Sequence, residues 1–327
     1  MDSKTKRSLT TAELDALVIG ALGAGVVSAE ELPDGFANAV WRLGLDDDSQ
    51  VVLKVGPPPD LPLLTYERDL LRTEAMVYHL AQGTGLPTAT LLHAGFDDPE
   101  IGGDWLILSK LSGTPWNRAA PDPSRDASLR REMGFHLATL HRIPGSGVFG
   151  YPYAGLTGGT WREAFLKMIG AILDDAVKWE TRLPATILDL VGAFHRNAAA
   201  LDDVHTPSLV HFDIWPGNVF LNPDGSIEAL IDHERAFWGD PLADFVTPTI
   251  FGDLSGDDPI LAGYHEGGGR AGFTPTSRVR FAMYQAYLYL ILLVEDGPRQ
   301  YPEAEYARIR NGATEGLLRA LGILTHG

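Results

Sequence analysis

The chain has 327 residues, 45% of them apolar, and 26 Lys and Arg against 43 Asp and Glu give a formal net charge of −17. That length suggests about two domains and a sizeable core, and the acid excess argues against nucleic acid held through its phosphates. No apolar run reaches the roughly 18 residues of a membrane span, and the absence of cysteine removes disulfides and thiolate metal sites, which fits a cytoplasmic location.

Lys4, Lys6 and Arg7 precede an apolar stretch, as in a signal peptide, but Glu13 and Asp15 interrupt it. Leu14, Leu17, Val18 and Ala21 fall at helical spacing behind a Thr10/Glu13 capping box, which predicts a surface helix. Next come the lead-in Leu32-Pro33-Asp34-Gly35-Phe36-Ala37-Asn38, a strand over 39–45, a polar turn and a strand over 50–55. Gly35 lets backbone amides approach a phosphate, or simply makes the turn. With Asn38 it is a candidate nucleotide-binding residue. There is no G-x-x-x-x-G-K-[ST] loop, so a P-loop enzyme is disfavoured. Lys54 sits inside Val-Val-Leu-Lys-Val, where a charge is costly to bury unless paired. The plain alternative is a lysine whose head reaches water from an edge strand.

A helix is predicted over 66–82 and strands over 89–96 and 105–109. The Pro- and Asp-rich stretch 114–128 reads as a lobe boundary, dividing the chain into 1–113 and 114–327. Helices follow over 129–141, 161–179 and 184–201, with a loop over 145–160. Glu163, Asp174 and Asp175 on the second helix either face a cleft or form a solvated surface. With the acid excess, the first option favours an acceptor carrying amino groups. Helices over 278–295 and 306–321 end the chain.

Between them lies LVHFDIWPGNVFLNPDGSIEALIDHERAFWGDPLADF, residues 209–245. Asn222-Pro223-Asp224-Gly225 is a strong turn signal between two apolar runs. The hairpin it makes brings Asp213 and Asn218, before it, close to Asp232, after it. Hard oxygen ligands and a second carboxylate at one place suit Mg²⁺ and a general base.

This spacing resembles the catalytic loop and metal-binding Asp of the protein-kinase-like fold. The form here is similar to the aminoglycoside phosphotransferase family, H-G-D-x-x-x-x-N followed by I-D, with Gly239 to Asp244 resembling its G-D-P-x-x-D ending. Leu140-His141-Arg142-Ile143-Pro144 resembles its L-H-x-x-P. The resemblance implies an α+β, two-lobed fold, with a small β-rich N-terminal lobe and a larger helical C-terminal lobe and ATP between them. It implies that Lys54 holds nucleotide phosphates and pairs with Glu74, or else with Glu67. Backbone near Ser109 and Leu111 would bond adenine, and Asn218 and Asp232 would hold Mg²⁺. Asp213 would be the catalytic base toward the hydroxyl of a small acceptor. Asp244 and His141 are read as structural.

Phe212 stands where the family has Gly, and Trp215 where His is common. His-Phe-Asp-Ile-Trp-Pro-Gly-Asn is also similar to the H-G-D-x-W-x-G-N of fructosamine kinases. The expected function is phosphorylation of an antibiotic, conferring resistance, with a fructosamine or amino-sugar kinase second. A non-catalytic nucleotide-binding module and a metal-dependent hydrolase built on His211, Asp213 and Asp232 are the readings from other classes.

Overall fold

The computed structural model describes residues 7–32, 38–145 and 147–326, so Gly35 lies outside the described residues. Period-two apolar patterning builds the first half into an antiparallel sheet. Helix α1 (Thr11–Leu22), closed by the expected Thr10/Glu13 capping box, precedes β1 (Val26–Glu31), β2 (Ala39–Leu45) and β3 (Gln50–Val55). Then come α2 (Leu70–Ala81), β4 (Leu91–Asp98) and β5 (Gly103–Ser109), and the sheet order is β1-β2-β3-β5-β4. Leu14, Leu17 and Val18 of α1 pack on Trp41, Leu43, Leu53, Val55 and Ile107 from one face. Alternation turns Lys54 to the other face, where it pairs in register with Leu106 and where α2 lies.

Two expectations change here. The predicted helix over 66–82 is a separate turn, Thr65–Glu67, followed by α2, because Arg68 is extended and Asp69 takes a left-handed φ of 54°. Glu67 and Glu74 therefore do not share a helix. Strand β1 was not expected, since its sequence does not alternate; all but its first residue is exposed, and pairing with β2 alone makes it a strand.

The remainder is helical around short strands. In order it holds β6 (Thr114–Pro115), α3 (Trp116–Ala119), α4 (Pro123–His141), β7 (Phe149–Tyr151), β8 (Leu156–Gly158), α5 (Trp161–Lys178) and α6 (Ile187–Asn197). It continues with β9 (Ser208–Val210), β10 (Val219–Leu221), β11 (Ile227–Leu230), β12 (Phe237–Gly239), α7 (Pro259–Glu266), α8 (Pro275–Val294), α9 (Asp296–Arg299) and α10 (Glu303–His326). Asp122 caps α4 earlier than its apolar face indicates, and the expected loop over 145–160 contains the β7–β8 hairpin. Helix α8 is apolar on nearly every side and is buried accordingly. Its Tyr284 hydroxyl receives the Trp161 indole N–H at 2.7 Å and donates to Asp240 at 2.8 Å, tying α5 and α8 to the 239–244 segment.

Candidate active site

Lys54 is buried, and its charge is paired. The ammonium lies 2.6 Å from Glu74 Oε2 and 3.1 Å from Glu234 Oε2, and it also bonds Asp232 Oδ1. Burial opposes the lysine charge, but Asp232, Glu234 and Glu74 outweigh it and keep the group protonated well above the usual lysine range. Burial pushes Glu74 up to about 7 against the pull of Lys54. Asp232 is also penalised by burial, yet Lys54 holds it below the ordinary carboxylate range. The ligand oxygens of Glu74, Asp232 and Glu234 lie within 4.8 Å of one another, and the Lys54 ammonium already joins them. Tyr78 donates to the other Glu74 oxygen at 3.1 Å. Glu67 does not reach Lys54: it accepts from the Leu64 amide at 2.9 Å and pairs with Arg299.

The loop after β9 is held from beneath. Asp244, with no exposed surface, accepts from the amides of His211 at 2.9 Å and Phe212 at 2.6 Å and pairs with His141 at 2.8 Å. Phe212 has a φ of 60°, the left-handed region that a bulky residue rarely adopts. This explains why glycine suits the position, and why Phe212 needs its ring buried, against Phe237 at 5.2 Å and Tyr287 at 5.6 Å between centroids. His211 is kept neutral by burial; Nε2 faces the Ile231 carbonyl at 3.0 Å, and Nδ1 accepts from the Asp213 amide at 3.2 Å. Asp244→Ala strands these amides. We expect a loss of about 3 kcal/mol or more, at about 1–3 kcal/mol per unsatisfied buried group, read as a lower urea midpoint.

Asn218 Nδ2 donates to the Asp213 carbonyl at 2.9 Å and to Asp213 Oδ2 at 3.2 Å, which leaves its Oδ1 as a hard oxygen donor. The Asn218 carbonyl accepts from the Ile231 amide at 3.0 Å, so the hairpin sets Asn218 beside the residue before Asp232. Burial pushes the Asp213 carboxyl up to about 7, with Arg235 acting in the opposite direction.

Lys54, Glu74, Asp213, Asn218 and Asp232 line one cleft of about 530 Å³, with Asn38, Ser109 and Leu111. Asn38 donates its amide to Glu234, linking the start of β2 to the segment after Asp232. Ser109 gives its own amide to the Thr90 carbonyl at 2.9 Å, so that N–H is not open to a ligand. Beyond it, Glu228 of β11 accepts from the Ser112 and Gly113 amides at 2.9 and 2.7 Å, and a Cβ on Gly113 would meet the Leu221 carbonyl at 2.1 Å. The acids of α5 do not line the cleft: Asp175 accepts from Thr65, Glu163 accepts from Gly159, and Asp174 is on the surface.

Glu234, Arg235 and Arg299 also line the cleft and were not expected from the sequence. The first two follow Asp232 closely, and the pattern Asp-x-Glu-Arg is the signal that was present. Arg299 is 67 residues further along, with nothing local to mark it.

A sheet region and a helical region meeting at a cleft, with a strand lysine facing acids from the far side, define the protein-kinase-like architecture. The family model described as "Phosphotransferase enzyme family" matches residues 28–281, and the chain belongs to that family. In sequence it is 27% identical over 163 residues to a candidate ketoamine kinase of Vibrio parahaemolyticus; the match covers 44% of this chain and about half, 54%, of that relative. In structure it is similar to a candidate fructosamine-3-kinase of Thermobifida fusca, with a TM-score of 0.66, 23% identity and coverage of 95% of this chain and 100% of that one. It is equally similar, at TM-score 0.66 and 17% identity, to a thermostable mutant of an aminoglycoside phosphotransferase, APH(4)-Ia, in complex with AMP-PNP and hygromycin B. There the coverage is 96% of this chain and 100% of the other.

Proposed function

We propose that this protein is an ATP-dependent O-phosphotransferase acting on a hydroxyl of a small molecule. The observation that carries the reading is the convergence of Lys54–Glu74, Asp232, and the Asp213–Asn218 pair on one cleft. We take residues 1–113 as the nucleotide lobe and 114–327 as the lobe that brings acceptor and base, working in the cytoplasm, where ATP is made.

Phosphoryl transfer asks mainly for positioning and charge neutralisation. Lys54 is placed to exchange its carboxylate partners for nucleotide phosphates while Glu74 keeps hold of it. The donor set fits Mg²⁺: Asn218 has a free oxygen because its nitrogen is committed, and Asp232 is ionised. When bound, Mg²⁺ would neutralise phosphate charge there. Asp213 accepts or orients the proton of the attacking hydroxyl. Adenine contacts in this reading fall to carbonyl groups and the Leu111 amide, since the Ser109 amide is taken.

Relatives named for aminoglycosides and for ketoamines both carry the fold, so the acceptor is either an antibiotic, giving resistance, or a metabolic amine-bearing sugar. Trp215 lining the cleft supports the second, since it completes the fructosamine-kinase wording of the loop. The test is ATP-dependent phosphate incorporation across a panel of antibiotics, sugars and ketoamines, beside calorimetric titration with Mg–AMP-PNP. No nucleotide binding and no incorporation would sink the proposal.

A pH profile follows from Asp213. Its carboxyl is pushed up to about 7, so it is protonated and unable to act as a base below that pH. We expect kcat/KM, which reports the free enzyme, to fall as pH drops below about 7, and that limb to vanish in Asp213→Asn. Retention of the limb in the variant would assign it to another group, such as Glu74.

A further inference from the structure

The turn that precedes α2 belongs to two regions at once. In the chain it follows β3 of the sheet, but Leu64 and Tyr66 are buried in the core of the helical region, where the Tyr66 ring lies 5.6 Å from that of Tyr151. Thr65 donates its amide and its hydroxyl to Asp175 of α5, at 2.6 and 3.0 Å. Glu67 accepts from the Leu64 amide at 2.9 Å with one oxygen and from Arg299 with the other. Arg299 in turn bonds Glu295 at 2.9 Å, and Glu295 also pairs with Arg235 at 3.1 Å. Four charges of alternating sign therefore run from the start of α2, through the junction of α8 and α9, to the turn after Asp232. Glu67, Glu295 and Arg299 are each no more than 5% exposed.

Helix α2 itself begins on a strained residue. Asp69 has a φ of 54°, and its side chain makes no cap hydrogen bond, so local chemistry does not fix where the helix starts. A non-glycine residue in the left-handed region is costly and persists only where its surroundings over-determine it. Before Asp69 the surroundings are the Glu67–Arg299 pair. After it, Leu71 and Ala75 pack on Leu106 of the sheet, and the Tyr78 ring meets His233 at 4.9 Å between centroids. Buried ion pairs contribute little net stability, and their best-attested use is to fix register. Register matters here because of Glu74. Of the three acids on Lys54, Asp232 and Glu234 come from the segment assigned to metal, and Glu74 comes from α2. A slip of the helix by one residue moves Glu74 by about 1.5 Å along the axis and about 100° around it, which ends its 2.6 Å contact with Lys54.

Resting on the phosphotransferase reading for the role of Lys54, we propose that Glu67 and Arg299 are positioning residues of the nucleotide site. Their buried pair sets the start of α2. Through α2 it sets the Glu74 carboxylate, which keeps hold of Lys54 when phosphates take the place of Asp232 and Glu234. Neither residue touches nucleotide in this scheme; both act through the helix. Because Arg299 belongs to the helical region, the same pair keeps Lys54 in register with the loop that carries Asp213 and Asn218.

The test is a double-mutant cycle. Glu67→Gln, Glu74→Gln and the two changes together are each titrated with Mg–AMP-PNP and unfolded in urea. Glutamine has one acceptor oxygen where Glu67 uses two, so it breaks one of these bonds. Glu67→Gln is expected to bind Mg–AMP-PNP about tenfold more weakly, on the scale of coupling within one network, and to add little further loss once Glu74 is glutamine. Arg130→Gln is the control for general loosening. It breaks another partly buried pair, with Asp258 at 2.6 Å, outside the cleft lining, and should lower the urea midpoint with affinity unchanged. Unchanged affinity in Glu67→Gln, additive losses in the cycle, or an equal loss in Arg130→Gln overturns the proposal. Should Glu67→Gln fail to fold, Glu67→Met with Arg299→Met replaces the pair by apolar side chains and takes its place in the same cycle. The urea cycle needs no nucleotide, and Glu67 and Glu74 bond different residues. A wild type that does not bind Mg–AMP-PNP therefore sinks the phosphotransferase reading, while the urea midpoints still decide the coupling: additive values overturn it and non-additive values support it.

Discussion

Asp213→Asn is expected to lower turnover by about 10²- to 10⁴-fold, the usual contribution of a positioned general base, while Mg–AMP-PNP binding is retained. The asparagine keeps an oxygen for the Asn218 amide, which now lies 3.2 Å from Asp213 Oδ2. It removes a carboxylate that burial already disfavours, so the melting temperature should hold or rise. The loss should fall on kcat more than on KM for ATP, since proton removal matters in the transition state and not in nucleotide binding. Asp232→Asn supplies the contrast. It takes away the acid that pairs with Lys54 and that we assign to metal, and should weaken Mg-nucleotide binding directly. Near-normal turnover in Asp213→Asn, or a nucleotide defect equal to that of Asp232→Asn, would show that the two roles are misassigned.

Lys54→Ala should damage both nucleotide binding and stability. Its ammonium is the shared partner of Glu74, Asp232 and Glu234, and its removal leaves three acids facing one another in a buried site. Breaking a buried ion pair from one side costs about 3–5 kcal/mol. The uncompensated acids then hold protons more tightly folded than unfolded. Such groups lose stability as pH rises, so the deficit of the variant should be largest at neutral pH and shrink toward the ordinary carboxylate range. Glu74→Ala should be milder, because Lys54 keeps Asp232 and Glu234. Urea midpoints at several pH values and AMP-PNP titrations check both. A variant with unchanged nucleotide affinity would remove Lys54 from the proposed phosphate site.

The strands and helices with strong periodicity were legible in the sequence: β2, β3, the β10–β11 hairpin around Asn222 to Gly225, and α5 come within a residue of expectation. Local chemistry sets these, through alternation, turn residues and caps. Spacing around the hairpin was enough to bring Asp213, Asn218 and Asp232 to one cleft, because a hairpin's ends must meet. The break at Asp69 was not legible. No residue there forbids a helix, and only packing turns Glu67 toward Arg299 and Glu74 toward Lys54.

Chain sequence also left open which acids face the cleft. The acids of α5 have a plausible helical spacing, yet Asp175 is drawn to Thr65, from another segment, while Arg235 and Arg299, not marked in advance, are among the residues that line the cleft. The sequence by itself determined the strongly periodic elements and the residue types available for phosphoryl transfer, since both depend on neighbours along the chain. Tertiary structure alone decided the partners of Lys54, the tolerance of Phe212 at a left-handed position, and which charged side chains line the cleft. Each of these depends on side chains brought together from segments tens to hundreds of residues apart, as Glu67 and Arg299 are, 232 positions from one another.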